Sequence, residues 1–137
     1  MNLRQMLLTP KQFLLIGGPV LVLVAILGFV GVIGPTTDKS LFGSTWWFDD
    51  GENWAHLALG VVGFAAAFIL PMNLQRPLVM VLGVVGVFFG VYNLFSTSFP
   101  GTNLENPADT ILHFAVGAWA LAASIPKPAM TAKGTPA

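Results

Sequence analysis

Two stretches of this 137-residue chain carry the same kinds of side chain at the same spacing. One is Asp49-x-x-Glu52-x-x-x-His56-x-x-x-Gly60, and the other is Asn106-x-x-Asp109-x-x-x-His113-x-x-x-Gly117. Both read as helix starts. Asp49 and Asn106 are favoured N-cap residues, Glu52 and Asp109 then sit at N3 as in a capping box, and Pro107 suits N1. Acids in a first turn also complement the positive end of the helix dipole. Each histidine follows its acid by four residues, so both side chains share one helix face.

Three roles fit the histidines. In the first, which the residues favour, each ring is neutral and hydrogen-bonds a carboxylate or a loop carbonyl, tying loop to helices. In the second, His56 and His113 ligate a metal, haem or a chlorophyll-type pigment, with Glu52 and Asp109 orienting the rings from behind. In the third they belong to a substrate or proton site. Two histidines without cysteine make a thin metal site that carboxylates would have to complete. A proton path through a membrane normally needs more ionisable groups than these. Asn93 is the one other strongly polar side chain late in an apolar run, and an interhelical hydrogen bond explains it.

Other chemistry is missing from the sequence. It has no cysteine, which excludes disulfides, thiolate sites and thioether-linked haem. It has no H-E-x-x-H, no G-x-S-x-G and no phosphate-binding glycine loop. No enzyme activity is expected, and no cofactor is evident beyond the histidine alternatives. Net charge is zero, so nothing favours nucleic acid as a partner.

The elements that position these groups must be membrane helices. Hydrophobic residues make up 55% of the chain and charged ones 9%, against about 25% charged in a soluble domain. Mean hydropathy is +0.76. The lipid bilayer is thus the first expected partner. Spanning takes roughly 17–25 apolar helical residues. Four runs approach this: Phe13 to Ile33, Asn53 to Leu70, Leu78 to Phe95, and Thr110 to Ile125, the last beginning near Pro107. Gly34-Pro35, Pro71 with Arg76-Pro77, Pro100-Gly101 and Pro126 separate or end them, because proline lacks an N–H and clashes with the preceding turn. Gly17-Gly18-Pro19 predicts a kink in the first helix. Arg4 and Lys11 precede that helix as in a signal peptide, but the run is long and no A-x-A site follows, so it is expected to be retained.

The runs repeat. Leu27-Gly28-Phe29-Val30-Gly31-Val32 matches Leu82-Gly83-Val84-Val85-Gly86-Val87 at five of six positions. The second and fourth runs match 57 positions apart: His56 with His113, Ala58 with Ala115, Gly60 with Gly117. The expected fold is an all-α membrane protein, a four-transmembrane-helix bundle made of two parallel-repeat helical hairpins. Repeat one covers 13–70 and repeat two 77–125 within a transmembrane domain at 13–125. A cytoplasmic segment precedes it at 1–12, and a flexible cytoplasmic tail follows at 126–137. Parallel repeats share one orientation about an axis along the membrane normal. Gly28, Gly31, Gly60, Gly83, Gly86, Gly90 and Gly117 suit close helix packing.

Arg4, Lys11, Arg76, Lys127 and Lys133 fall on one side, with Lys39 alone on the other. All six acids, Asp38, Asp49, Asp50, Glu52, Glu105 and Asp109, fall on the side opposite those five. By the positive-inside rule both termini are cytoplasmic, and loops 34–52 and 96–108 face outward. Trp46, Trp47 and Trp54, with Tyr92 and Phe99, read as an interfacial aromatic belt. Leu41-Phe42 and Trp46-Trp47-Phe48 are too apolar for a free loop and predict a cap folded onto the helices.

The segments Leu27-Gly28-Phe29, Glu52-Asn53-Trp54-Ala55-His56-Leu57-Ala58-Leu59-Gly60 and Asn106-Pro107-Ala108-Asp109-Thr110-Ile111-Leu112-His113 resemble an uncharacterised family of small bacterial four-helix membrane proteins, a domain of unknown function. The likeness covers about residues 13 to 125. Members often carry a second histidine before the first motif, which this chain lacks. The resemblance implies a multi-pass protein of the bacterial cytoplasmic (inner) membrane and implies no activity. The leading expectation is a structural or accessory subunit of a membrane assembly, with other membrane subunits as partners. A haem-, metal- or pigment-binding protein using His56 and His113 is one alternative, and a small-solute transporter is another.

Overall fold

A computed structural model describes residues 2–127; the expected tail lies, from residue 128, outside the described residues. A short helix α1 (Leu3–Leu7) leads into α2 (Pro10–Phe29), followed by α3 (Asp50–Ile69), α4 (Met72–Asn93) and α5 (Ala108–Ser124). Strands β1 (Ser98–Phe99) and β2 (Thr102–Asn103) form a small antiparallel hairpin between α4 and α5. Helices α2, α3 and α4 are long and apolar enough to cross a membrane, whereas α5 is apolar but shorter, with 17 residues. The long helices leave large apolar side chains exposed on their outer faces, including Leu23, Val62, Phe68, Val81 and Phe88. A helix that is apolar all round needs a nonpolar surround, so the chain is a helical multi-pass membrane protein.

Several boundaries differ from the sequence reading. Helix α2 starts at Pro10, capped by Thr9 whose hydroxyl accepts the Gln12 amide, and stops at Phe29 rather than Ile33. It runs unbroken through Gly17-Gly18-Pro19. The chain leaves α2 at Gly31, whose φ of +87° favours glycine. Helix α4 starts at Met72, six residues before the expected start, and takes in Arg76-Pro77. Pro77 lies in the second turn, where its missing N–H removes one bond from the ladder. Gln75, buried, donates through Nε2 to the carbonyls of Ala67 and Leu70 at 3.2 and 2.7 Å. Those carbonyls at the end of α3 would otherwise lack donors.

Helix α2 packs mainly on α3, and α4 on α5. Both contacts rest on glycine. A Cβ on Gly60 would stand 2.7 Å from the Gly18 carbonyl oxygen and 2.9 Å from the Val22 amide nitrogen. A Cβ on Gly117 would stand 3.0 Å from the Gly83 oxygen and 2.7 Å from the Val87 nitrogen. Small residues let helix backbones approach this closely.

Burial follows the same pattern. The buried residues of α3, Glu52, Asn53, Gly60, Gly63, Ala66 and Ala67, have counterparts 57 positions later in Asp109, Thr110, Gly117, Ala120, Ala123 and Ser124. The buried residues of α4, Gln75, Val79, Gly83, Gly90 and Asn93, match Pro10, Leu14, Gly18, Ala25 and Gly28 of α2, now 65 positions apart. The near-identical segments beginning at Leu27 and Leu82 occupy different places: Gly28 abuts the Asn53 side chain, while Gly83 abuts Leu121. Their likeness reflects apolar helix composition.

The segments between α2 and α3 and between α4 and α5 fold onto the helix ends, though not with every apolar residue that predicted it. Ile33 pairs with Ser40, and the Phe48 amide donates to the Ile33 carbonyl at 2.7 Å. Phe48 and Leu104 are buried, whereas Leu41 and Phe42 stay exposed. Asn93 makes no helix-to-helix bond; its Nδ2 donates to the Glu105 carbonyl in the following loop at 2.9 Å. Trp46 leaves the expected belt to bond inward, while Trp54 is exposed and meets Phe29 edge-on.

Candidate functional site

The two motif acids begin their helices differently. Asp49 is the expected N-cap, its Oδ1 accepting the Glu52 amide at 2.8 Å. The reciprocal half of the box does not form, because the Glu52 side chain turns inward and both its oxygens lack a partner. At α5 the expected cap is overturned. Pro107 occupies the N-cap position without a side-chain bond, and Asn106 turns its Nδ2 toward the Asn93 carbonyl at 3.4 Å. Asp109 instead reaches back to the preceding loop, its Oδ2 accepting the Glu105 amide at 2.7 Å.

The motif carboxylates cross-connect the two segments that precede α3 and α5. Asp49 Oδ2 accepts the Asn103 amide from β2 at 2.6 Å. Asp109 Oδ1 accepts the Trp46 indole N–H at 3.0 Å. Each acid therefore caps or opens its own helix and holds the other hairpin's loop. Glu105 lies between them, its carboxylate accepting from the Asn103 side chain. Burial pushes the Glu105 carboxyl up to about 7, with Asp109 beside it adding to the rise and the Asn103 bond opposing it.

Below this layer, a cavity of about 310 Å³ lies between α2, α3, α4 and α5. Glu52, His56 and His113 all line its wall, and Thr102 is the other polar side chain there. The sequence pairing thus brings both histidines and one of the two acids to a single space. The expected acid–histidine contact within each helix is absent. Glu52 accepts nothing, and the His56 Nδ1 is buried without a partner. His113 Nδ1 lies 2.7 Å from the Asp109 backbone carbonyl. A carbonyl only accepts, so Nδ1 carries the proton, and in the neutral ring Nε2 keeps the free lone pair. Phe48 packs edge-on against His56, and Phe89 lies beside His113.

The rest of the wall is apolar and no spacing in the sequence announced it. Phe13, Leu14 and Trp119 line the far end, where Phe13 and Trp119 meet edge-on at 4.6 Å between ring centres. The Trp119 indole is pinned from behind by the Leu7 carbonyl at 2.6 Å. Phe99 and Leu104 of the outer hairpin line the near end. Among the described residues, no three histidine, aspartate or glutamate side chains are grouped so as to hold a metal ion. The arrangement is a mostly apolar chamber with a carboxyl group and two imidazoles at the end nearest the β-hairpin. No family model matches the chain, and neither a curated protein nor a solved structure matches it.

Proposed function

We propose that the chain is a four-span accessory protein of a bacterial inner membrane that holds a small, largely apolar molecule with one polar end. The observation that carries this reading is the chamber, walled mostly by apolar side chains, with Glu52, His56, His113 and Thr102 as its polar members. Its volume of about 310 Å³ stands at the lower end of the roughly 300–1,000 Å³ usual for small-molecule sites. In this reading α5 is the fourth span. Its 17 residues reach the lower limit for crossing the hydrocarbon, and its outward Ile111 and Val116 are exposed apolar residues. The matched burial of α3 with α5 and of α2 with α4 supports two copies of one hairpin about an axis along the membrane normal. The placement of the basic residues supports cytoplasmic termini.

Native mass spectrometry of the detergent-purified chain tests the bound molecule. A non-covalent adduct is expected on the unmodified protein and lost in Gly63→Leu. Gly63 lines the chamber, and a Cβ there meets only Leu14, at 3.8 Å, so the larger side chain fills open space. A chain that carries no adduct and takes up no small molecule would defeat the reading.

A haem or pigment ligated by histidine is a second reading, favoured by the His113 Nδ1 bond to a carbonyl, which is how ligating histidines are commonly oriented. A visible absorbance band lost in His113→Ala supports it, and a colourless protein removes it.

A further inference from the structure

Resting on the proposal that the chamber holds a small amphiphile, we infer that its ligand is an organic ammonium with a compact apolar body, whose N–H groups meet the Glu52 carboxylate. Glu52 is the unusual member of the outer carboxylate group. Asp49 accepts two backbone amides, Asp109 accepts an amide and an indole, and Glu105 accepts the Asn103 side chain. Glu52 is only 4% exposed, lines the chamber, and has neither oxygen bonded. A buried polar group without a partner is costly, and a charged one more so.

The surroundings favour a donor that is also a cation. No lysine or arginine lines the chamber, so nothing basic in its wall offers Glu52 a counter-charge. Lys39, the one basic residue of the outer segments, is exposed. A neutral imidazole at His56 or His113 offers one ring nitrogen as an acceptor for a further N–H. Phe89 and Phe99 in the wall are aromatic, the class of side chain that attracts a cation. The remaining apolar wall sets the other requirement, an apolar body. A carboxylate ligand would meet repulsion at this end, and an alcohol would supply one donor and no charge.

Three molecules with the same cage separate these cases: 1-adamantylamine, 1-adamantanol and adamantane-1-carboxylate. Calorimetric titration of the full chain in maltoside micelles, corrected against protein-free micelles, is expected to show saturable amine binding. That binding should be at least tenfold tighter than the alcohol's, with none by the carboxylate. Glu52→Gln should reduce amine affinity at least tenfold and remove its preference over the alcohol, while Glu52→Asp retains the preference. The amine–alcohol comparison is read on the unmodified chain, so it decides the matter even if Glu52→Gln does not fold. Equal binding of amine and alcohol, lost in Gly63→Leu, overturns the ammonium and leaves the chamber as a ligand site. Binding of none of the three overturns the ammonium as well, and the adduct measurement then decides separately whether the chamber holds anything.

Discussion

The indole N–H of Trp46 donates to Asp109 Oδ1 at 3.0 Å across 63 residues of sequence. Asp109 is 1% exposed, so this bond and the Glu105 amide are what offset the burial of its carboxylate. With the bond from the Asn103 amide to Asp49, it fastens each outer segment to the helix start of the other hairpin. The roof of the chamber is thus held by acids that the sequence presents as ordinary helix caps.

Removing the indole donor tests this roof. Trp46→Phe keeps the ring contacts with Phe42 and Phe48 but leaves a buried carboxylate oxygen short of a donor. A loss of roughly 1–3 kcal/mol is expected for an unmet buried acceptor. Thermal unfolding in detergent should show a lower midpoint, and Trp46→Phe combined with Asp109→Asn should cost less than the two losses added. An unchanged midpoint in Trp46→Phe would show that the roof does not depend on this bond.

The caps also show how far a sequence can be read. Asp49 was legible because its partner, the Glu52 amide, is three residues away and any helix start supplies it. Asn106 was not, because its partner, the Asn93 carbonyl, lies across a loop whose path no local rule fixes. The pairing of His56 with His113 was legible because polar residues are rare in these helices and their spacing stands out. The likeness of the segments at Leu27 and Leu82 does not carry over to their contacts, because Leu, Gly and Val recur by chance in apolar helices. Gly18 and Gly83 are the pair with like contacts, against Phe64 and Leu121. The inward turn of Glu52 had no local signal, since the N3 position equally suits a capping box.

The glycines make a contrast that backbone spacing decides. Gly60→Ala drives a Cβ to 2.7 Å from the Gly18 oxygen, so α2 and α3 must separate, whereas Gly63→Ala meets only Leu14 at 3.8 Å. Overpacking costs about 1–3 kcal/mol, while alanine replacing glycine inside a helix gains roughly 0.5–1 kcal/mol. Gly60→Ala should therefore lower the unfolding midpoint and Gly63→Ala should hold or raise it. The same order for both variants would contradict the close approach at Gly60.

The outer hairpin should loosen as pH rises. The folded state raises the Glu105 carboxyl from its usual 4.5 to about 7, chiefly by burial. The native state then keeps a proton that the unfolded chain has already released. Stability from this group is full below about 4.5 and declines as pH climbs through about 7. Amide exchange at Asn103 and Leu104, corrected for its intrinsic pH dependence, should speed up across that window. In Glu105→Gln the change should vanish. Persistence of the full change in Glu105→Gln would assign it to another group.

Membrane crossing by α5 and the orientation of the chain can be read together, because the sequence contains no cysteine and single cysteines introduced into it report unambiguously. Gln5, Ser44, Asn73 and Thr97 are exposed and lie in or beside the four segments that bound the long helices. With four spans and cytoplasmic termini, Ser44→Cys and Thr97→Cys react with an impermeant maleimide applied to intact bacterial cells stripped of their outer membrane. Gln5→Cys and Asn73→Cys react only after the inner membrane is opened. A further cysteine at Lys127, beyond α5, distinguishes four spans from three. If α5 crosses, Lys127→Cys behaves like Gln5→Cys. If α5 instead lies along the outer surface, Lys127→Cys is labelled from outside while the other four keep their pattern. The second result would contradict the fourth span, and reversal of all five would contradict the orientation inferred from the basic residues.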